Sequence, residues 1–172
     1  YAIRLSLVGS EMCIRDRIKI DQNQNAQEIS EKLSALAAEK ILDNVDDILE
    51  DKAKFIDQDH SKATYAKKID KEESRIDWDE DASKILGKIN GLFPSPGASF
   101  SFNGERYKIL KAEIGNGIGQ VGEIISNQLE VACNKNQSIK ILEIQRQGKR
   151  PQKISEFMLG SQIKKGSKLS NV

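Results

Sequence analysis

From Ala26 onward, apolar positions recur at three- and four-residue steps: Ile29, Leu33, Leu36, Ala37, Ile41, Val45, Ile48 and Leu49. Glu28, Glu31, Lys32, Glu39, Lys40 and Asp43 fill the positions between them. That spacing predicts one long amphipathic helix or two abutting ones. The stripe has no partner of its own and needs an apolar surface to cover it, which is expected in sequence upstream. Residues 51–61 are polar, carry no sustained period, and read as the exit into a linker.

A second helix is expected over about Glu80 to Asn90. Ala82, Ile85, Leu86 and Ile89 sit at i, i+3, i+4 and i+7. Asp79 is placed to cap the start, and Gly91 with Pro94 and Pro96 to stop the helix. After Pro96 the period falls to two. Phe100/Phe102, Tyr107/Ile109, Leu129/Val131/Cys133 and Ile139/Ile141 alternate with polar residues, and Asn103-Gly104 between the first two runs is a hairpin signal. Five or so short antiparallel strands follow from this, and they suggest a small barrel or sandwich, barrels of the oligonucleotide-binding type being one common solution. Residues 153–159 add a short helix, and Gly160, Gly166 and Ser167 mark a loose C-terminus.

The chain has 172 residues, 38% of them hydrophobic, enough for one domain or one domain and part of another. No apolar run approaches the roughly 18 residues of a membrane-spanning helix, which excludes a helical membrane protein. Two cysteines and one histidine are too few for a disulfide framework or a Cys/His zinc site, so a cytoplasmic, reducing setting is expected. The net charge of +1 conceals an asymmetry. Between Asp21 and Asp81 there are 18 acidic and 9 basic residues, whereas from Arg106 to Val172 there are 12 basic and 5 acidic. The cationic end calls for a polyanion, nucleic acid first among them.

The first residues stand apart. The run from Leu7 to Asp16 back-translates to a string resembling a transposase-type sequencing-library adapter, so residues 1–17, Cys13 included, read as an assembly artefact and are set aside from fold reasoning. There is no uninterrupted apolar segment for a signal peptide, and no initiator Met, so the natural protein is expected to extend upstream.

Candidate chemistry is thin. Gly117-Ile118-Gly119-Gln120-Val121-Gly122 fits the G-x-G-x-x-G pattern, but an alternating strand follows it where a dinucleotide site needs a helix, so it reads as an inter-strand loop. His60 reads as a solvated linker residue and Cys133 as a small core hydrophobe. No catalytic residue and no metal ligand is expected. What remains is positive charge: Arg146, Lys149, Arg150 and Lys153 around Gly148 and Pro151, Lys108 and Lys111 on an earlier strand, and a mixed set of Lys67, Lys68, Lys71 and Arg75 interleaved with Asp70, Glu72 and Glu73. Each cation placed on a phosphate releases counterions and adds salt-dependent affinity.

Three ordered segments carry a family resemblance. Residues 64–69 (Thr-Tyr-Ala-Lys-Lys-Ile), 71–78 (Lys-Glu-Glu-Ser-Arg-Ile-Asp-Trp) and 92–98 (Leu-Phe-Pro-Ser-Pro-Gly-Ala) resemble the linker and the start of the C-terminal domain of the methionyl-tRNA formyltransferases. The likeness continues through Gly122-Glu123-Ile124 and Gln147-Gly148-Lys149-Arg150-Pro151 to Phe157-Met158-Leu159-Gly160, while Ile18 to His60 resembles the helical end of that family's catalytic domain. The resemblance implies formyl transfer from 10-formyltetrahydrofolate to methionyl initiator tRNA in translation initiation. This stretch would supply tRNA binding only, and the donor site and the Asn/His/Asp catalytic set would lie in an N-terminal domain that no segment here matches. The tRNA-facing role is carried over to Lys67, Lys68, Lys71, Arg75, Arg146, Lys149, Arg150 and Lys153.

The expected organisation is therefore an α+β chain: residues 18–60 as the helical tail of an α/β formyltransferase domain, 61–76 as linker, and 77–172 as an antiparallel OB-like barrel, preceded by a helix, that binds tRNA as part of a monomer. Two alternatives remain: another folate-dependent formyltransferase acting on a nucleotide sugar, and a free-standing RNA-binding module.

Overall fold

A computed structural model of the chain describes residues 16–54 and 59–169. Of residues 1–17, set aside above, only Asp16 and Arg17 are among the described residues. The chain divides into two compact units: residues up to Asp21 with Glu28–Lys68, and Gln22–Gln27 with Ile69–Val172. One boundary falls between Lys68 and Ile69, the others at Asp21/Gln22 and Gln27/Glu28.

α1 (Ala26–Leu49), of which Glu28–Leu49 belongs to the first unit, is one uninterrupted helix of 24 residues. None of its residues is buried; Ile29, Leu33, Leu36, Val45 and Ile48 are half-buried, and Leu42 and Leu49 are exposed. A short 3-10 turn, His60–Lys62, follows, capped where the Ser61 N–H donates to the Asp59 carboxylate at 3.0 Å. The Ser61 hydroxyl first, the Lys62 ammonium next and that N–H third hold the Asp59 carboxyl below its usual range. His60 is exposed.

Where the second unit resumes after Lys68, another 3-10 turn, Lys71–Ser74, leads the chain into the core: Ser74 and Ile76 are buried, and the Ile76 N–H donates to the Ser99 carbonyl at 2.9 Å. α2 (Ala82–Leu92) buries Ala82, Ile85, Leu86, Ile89 and Leu92, the face that the 3.6-residue period defines. Its cap is not Asp79. That residue is taken up in a turn with the Asp77 carboxylate, the helix starts after Asp81, and the Ala82 N–H is met from across the fold by Gln137 Oε1 at 3.0 Å. Nor does Gly91 stop the helix, which runs one residue further, to Leu92.

Five strands form one antiparallel sheet: β1 (Ser99–Phe102), β2 (Glu105–Gly115), β3 (Glu130–Cys133), β4 (Gln137–Arg146) and β5 (Gln152–Lys153). β1 and β2 meet at a two-residue turn in which Asn103 (φ 50°) and Gly104 (φ 77°) are both left-handed, the conformation that suits strand twist in a tight hairpin. The order is β1-β2-β4-β3, with β5 also on β4. β4 is long enough to serve two partners on one edge: Gln137–Lys140 pairs with β3 and Glu143–Ile144 with β5.

The expected barrel is not formed. Among the described residues no pairing joins β1 to β3 or β5, and the sheet is open. Each edge is instead covered by single bridges: Arg75 on Ser99 at β1, and Ile124 on Val131 at β3, with Glu123 in turn on Lys168. The same pairing corrects the expected loose C-terminus. Gly166 and Leu169 donate their N–H groups to the carbonyls of Ile124 and Gly122 at 2.8 Å, and Ile163 and Leu169 are buried.

α2 packs on β2 and β4, and α3 (Ile154–Gly160) on β4 and β5. An aromatic chain runs through this core: Trp78 meets Phe100 edge-on, Phe100 stacks on Tyr107 at 5.4 Å, and Tyr107 meets Phe157 edge-on at 5.8 Å. Cys133 is buried, and burial pushes its thiol up to about 12.

Candidate nucleic-acid interface

The β1–β2 hairpin separates two sets of cations. Alternation along β2 sends Glu105 and Tyr107 to one face and Arg106 and Lys108 to the other. Because the Asn103-Gly104 turn fixes the register, Ser101 lies opposite Arg106, and Ser99 opposite Lys108.

On the first face a cleft of about 560 Å³ is lined by Phe102, Glu105, Tyr107, Arg146, Lys149 and Arg150 on one side and by Glu156 and Phe157 of α3 on the other. Arg146 ends β4 opposite Tyr107, and the chain then turns through Gly148, with the Lys149 N–H donating to the Arg146 carbonyl at 3.0 Å. Glu105 holds this corner together. One carboxylate oxygen accepts from the Arg146 guanidinium, the other from the Tyr107 hydroxyl at 2.8 Å. The hydroxyl, then the guanidinium, holds the Glu105 carboxyl below its usual range. Burial first and the Glu105 hydrogen bond second push Tyr107 up to about 12. Arg146 is thus exposed but committed to Glu105, and Lys149 and Arg150 are exposed beside it on the turn.

On the opposite face a smaller cleft, about 330 Å³, is lined by Lys71, Glu72, Ser74, Arg75, Ser99, Ser101 and Arg106 among others. Here Arg106 donates from Nε to Ser99 Oγ at 3.0 Å and from Nη2 to Ser74 Oγ at 3.1 Å.

The structure therefore brings together Lys71 and Arg75, and separately Arg146, Lys149 and Arg150. Lys153, in β5 opposite Glu143, lines neither cleft. Lys67 and Lys68 are exposed residues of the first unit. The residue not anticipated is Arg106. Its signal was present in the alternation: the hairpin register alone puts Arg106 beside Ser101 and diagonal to Ser99.

The glycine pattern at 117–122 is accounted for by packing. The Gly117 N–H donates to Glu130 Oε1 at 3.0 Å and Ser138 Oγ at 2.9 Å, so a carboxylate sits where a phosphate would have to lie. A Cβ on Gly117 would collide with Ile125 and come within 2.8 Å of Glu130. Among the described residues there is no group of three or more His, Cys, Asp or Glu placed to hold a metal ion, and no helix is long and apolar enough to cross a membrane. With cations and serine hydroxyls as their working groups, the two clefts are equipped to bind anions.

Comparison with known proteins identifies the family of the chain. Residues 68–162 match the family profile of the formyl transferase C-terminal domain. The chain is 61% identical over 156 residues to a methionyl-tRNA formyltransferase of Pelagibacter ubique, covering 91% of the chain and 50% of that protein. It is 34% identical over 170 residues to a protein of the same name from Bradyrhizobium diazoefficiens, covering 96% and 54%. The chain thus spans about half the length of the curated relatives it matches. Among solved structures, a variant of HypX from Aquifex aeolicus superposes with a TM-score of 0.68 at 16% identity over 91% of the chain and 29% of HypX. HypX in complex with tetrahydrofolic acid superposes with a TM-score of 0.57 at 19% identity, over 72% and 22%. At these identities the likeness is one of fold.

Proposed function

The chain belongs to the family of formyl transferase C-terminal domains, and from that membership we propose that it is the tRNA-holding part of a cytoplasmic, monomeric methionyl-tRNA formyltransferase. In this reading residues 18–60 end a catalytic domain, 61–76 link it to the rest, and 77–172 bind the methionyl initiator tRNA. A catalytic domain upstream moves the formyl group from 10-formyltetrahydrofolate to the methionyl amine. The observation that carries the reading is the 61% identity to a relative of that name. Folate as donor is supported by the family and by the tetrahydrofolic acid complex of HypX.

What these residues contribute is position. Phosphate contacts fix the register of a nucleic acid without reading its bases. Arg146, Lys149 and Arg150 on one side of β2, and Lys71, Arg75 and Arg106 on the other, offer such contacts, with Lys67, Lys68 and Lys153 as further cations. Formyl transfer needs a donor site and a general base held within hydrogen-bond reach of the amine. In this proposal both belong to the upstream domain.

The test is a binding titration of the whole chain with initiator tRNA and, separately, with a dTDP-linked sugar, at low ionic strength. Saturable binding of tRNA alone supports the proposal. Binding of the sugar nucleotide in place of tRNA would move the chain to the sugar-modifying formyltransferases.

A further inference from the structure

Arg106 is built differently from every other cation in the two clefts. Ser99 and Ser74, which take its Nε and Nη2 protons, are 2% and 1% exposed. Ser74 donates its own hydroxyl proton to the Lys71 carbonyl at 2.5 Å, which leaves its oxygen lone pairs to accept from the guanidinium. The guanidinium is thus fixed from behind by two neutral acceptors that leave its charge uncompensated. Among the described residues no carboxylate forms an ion pair with it. A guanidinium has five N–H donors, and two are used here, so three remain on the fork. Arg146 presents the contrast, its guanidinium being taken by Glu105.

The remaining lining of this cleft adds two exposed cations, Lys71 and Arg75, against one exposed carboxylate, Glu72. A fork whose orientation is set before the ligand arrives loses little freedom on binding, and a planar guanidinium matches two phosphate oxygens as a lysine does not. We propose that Arg106, oriented by Ser74 and Ser99 and flanked by Lys71 and Arg75, is a dedicated site for a single phosphate group, occupied by one backbone phosphodiester of RNA. The identity of the ligand as RNA rests on the function proposed above. The phosphate chemistry rests on the cleft.

The test uses the whole chain, its Arg106→Gln and Arg106→Lys variants, and Lys140→Gln as a control that removes a cation already paired with Glu113 at 3.0 Å. Affinity for initiator tRNA is measured across a series of salt concentrations. Arg106→Gln is expected to weaken binding about tenfold, the worth of a charge-assisted hydrogen-bonded contact. It should also make the dependence of log K on log salt shallower by about one contact. Arg106→Lys should recover less than half of the loss on a logarithmic scale, and Lys140→Gln should match the parent. A parent chain that binds and an Arg106→Gln variant that binds equally well with the same slope would overturn the phosphate site and leave the broader reading intact. A parent chain that does not bind tRNA would remove the RNA reading itself. A measurement on the parent chain guards against a variant that fails to fold: the Arg106 Nε–H resonance should move on addition of inorganic phosphate and again with tRNA. No movement with phosphate overturns the site, and movement with phosphate but not tRNA overturns RNA as its source.

Discussion

Glu105 at the start of β2 and Arg146 at the end of β4 form an ion pair on the rim of the larger cleft, with both side chains nearly half exposed. A carboxylate there competes with any phosphate for the same guanidinium. Replacing it by an amide, Glu105→Gln, is therefore expected to tighten tRNA binding by about two- to fivefold at low salt and to steepen the salt dependence. The cost in stability should be small, because an exposed pair contributes little. Filter binding of the two proteins side by side reads the effect, and a weaker Glu105→Gln complex would show that Glu105 serves the ligand directly.

The same carboxylate links the corner to pH. Glu105 is held below its ordinary value of 4.5, by the Tyr107 hydroxyl first and Arg146 second, so its contribution is complete above pH 4.5 and is lost as pH falls through the lower folded value. Tyr107 runs the other way. Raised from 10.0 to about 12 by burial and by Glu105, it contributes fully below pH 10 and loses that contribution as pH rises toward 12. The urea midpoint of the parent chain should therefore fall between pH 10 and 12 more steeply than that of Tyr107→Phe. Parallel curves for the two would contradict the assignment.

α2 depends on a residue 55 positions away. The Gln137 side chain accepts the Ala82 N–H, one of the amides a helix start leaves open. Gln137→Ala should cost about 0.5–2 kcal/mol in chemical denaturation, as for loss of a helix cap, and the amide exchange of Ala82 should rise with it. An unchanged midpoint would mean that water replaces Gln137 at no cost.

The sequence disclosed those parts of the fold whose cause is local. α2 followed from its apolar period, and the β1–β2 hairpin from alternation plus an Asn-Gly pair that tolerates positive φ at both positions. The long helix α1 was visible for the same reason. What remained hidden depends on partners distant in sequence. The Gln137 cap is one case. The anchoring of Gly166 and Leu169 on residues 122–124 is another, because glycine and serine alone read as a loose end. The open sheet is a third: local period counts strands but says nothing about whether the first meets the last.

The site shows the same division. Arg146, Lys149 and Arg150 stood out because they crowd one turn, and Lys71 and Arg75 because they lie in a motif. Arg106 stood alone among the alternating residues of a strand. Its significance comes from Ser74, 32 residues earlier, and from the burial that makes both serine hydroxyls fixed acceptors.

The role proposed for this chain is that of a cationic hold for tRNA. Its most direct test is the affinity of the whole chain for initiator tRNA between about 50 and 200 mM salt. If phosphates settle on several of the cations lining the two clefts, log K should fall linearly with log salt with a slope of about −2 to −4. An absence of binding at the lowest salt, or an affinity that does not change with salt, would contradict it.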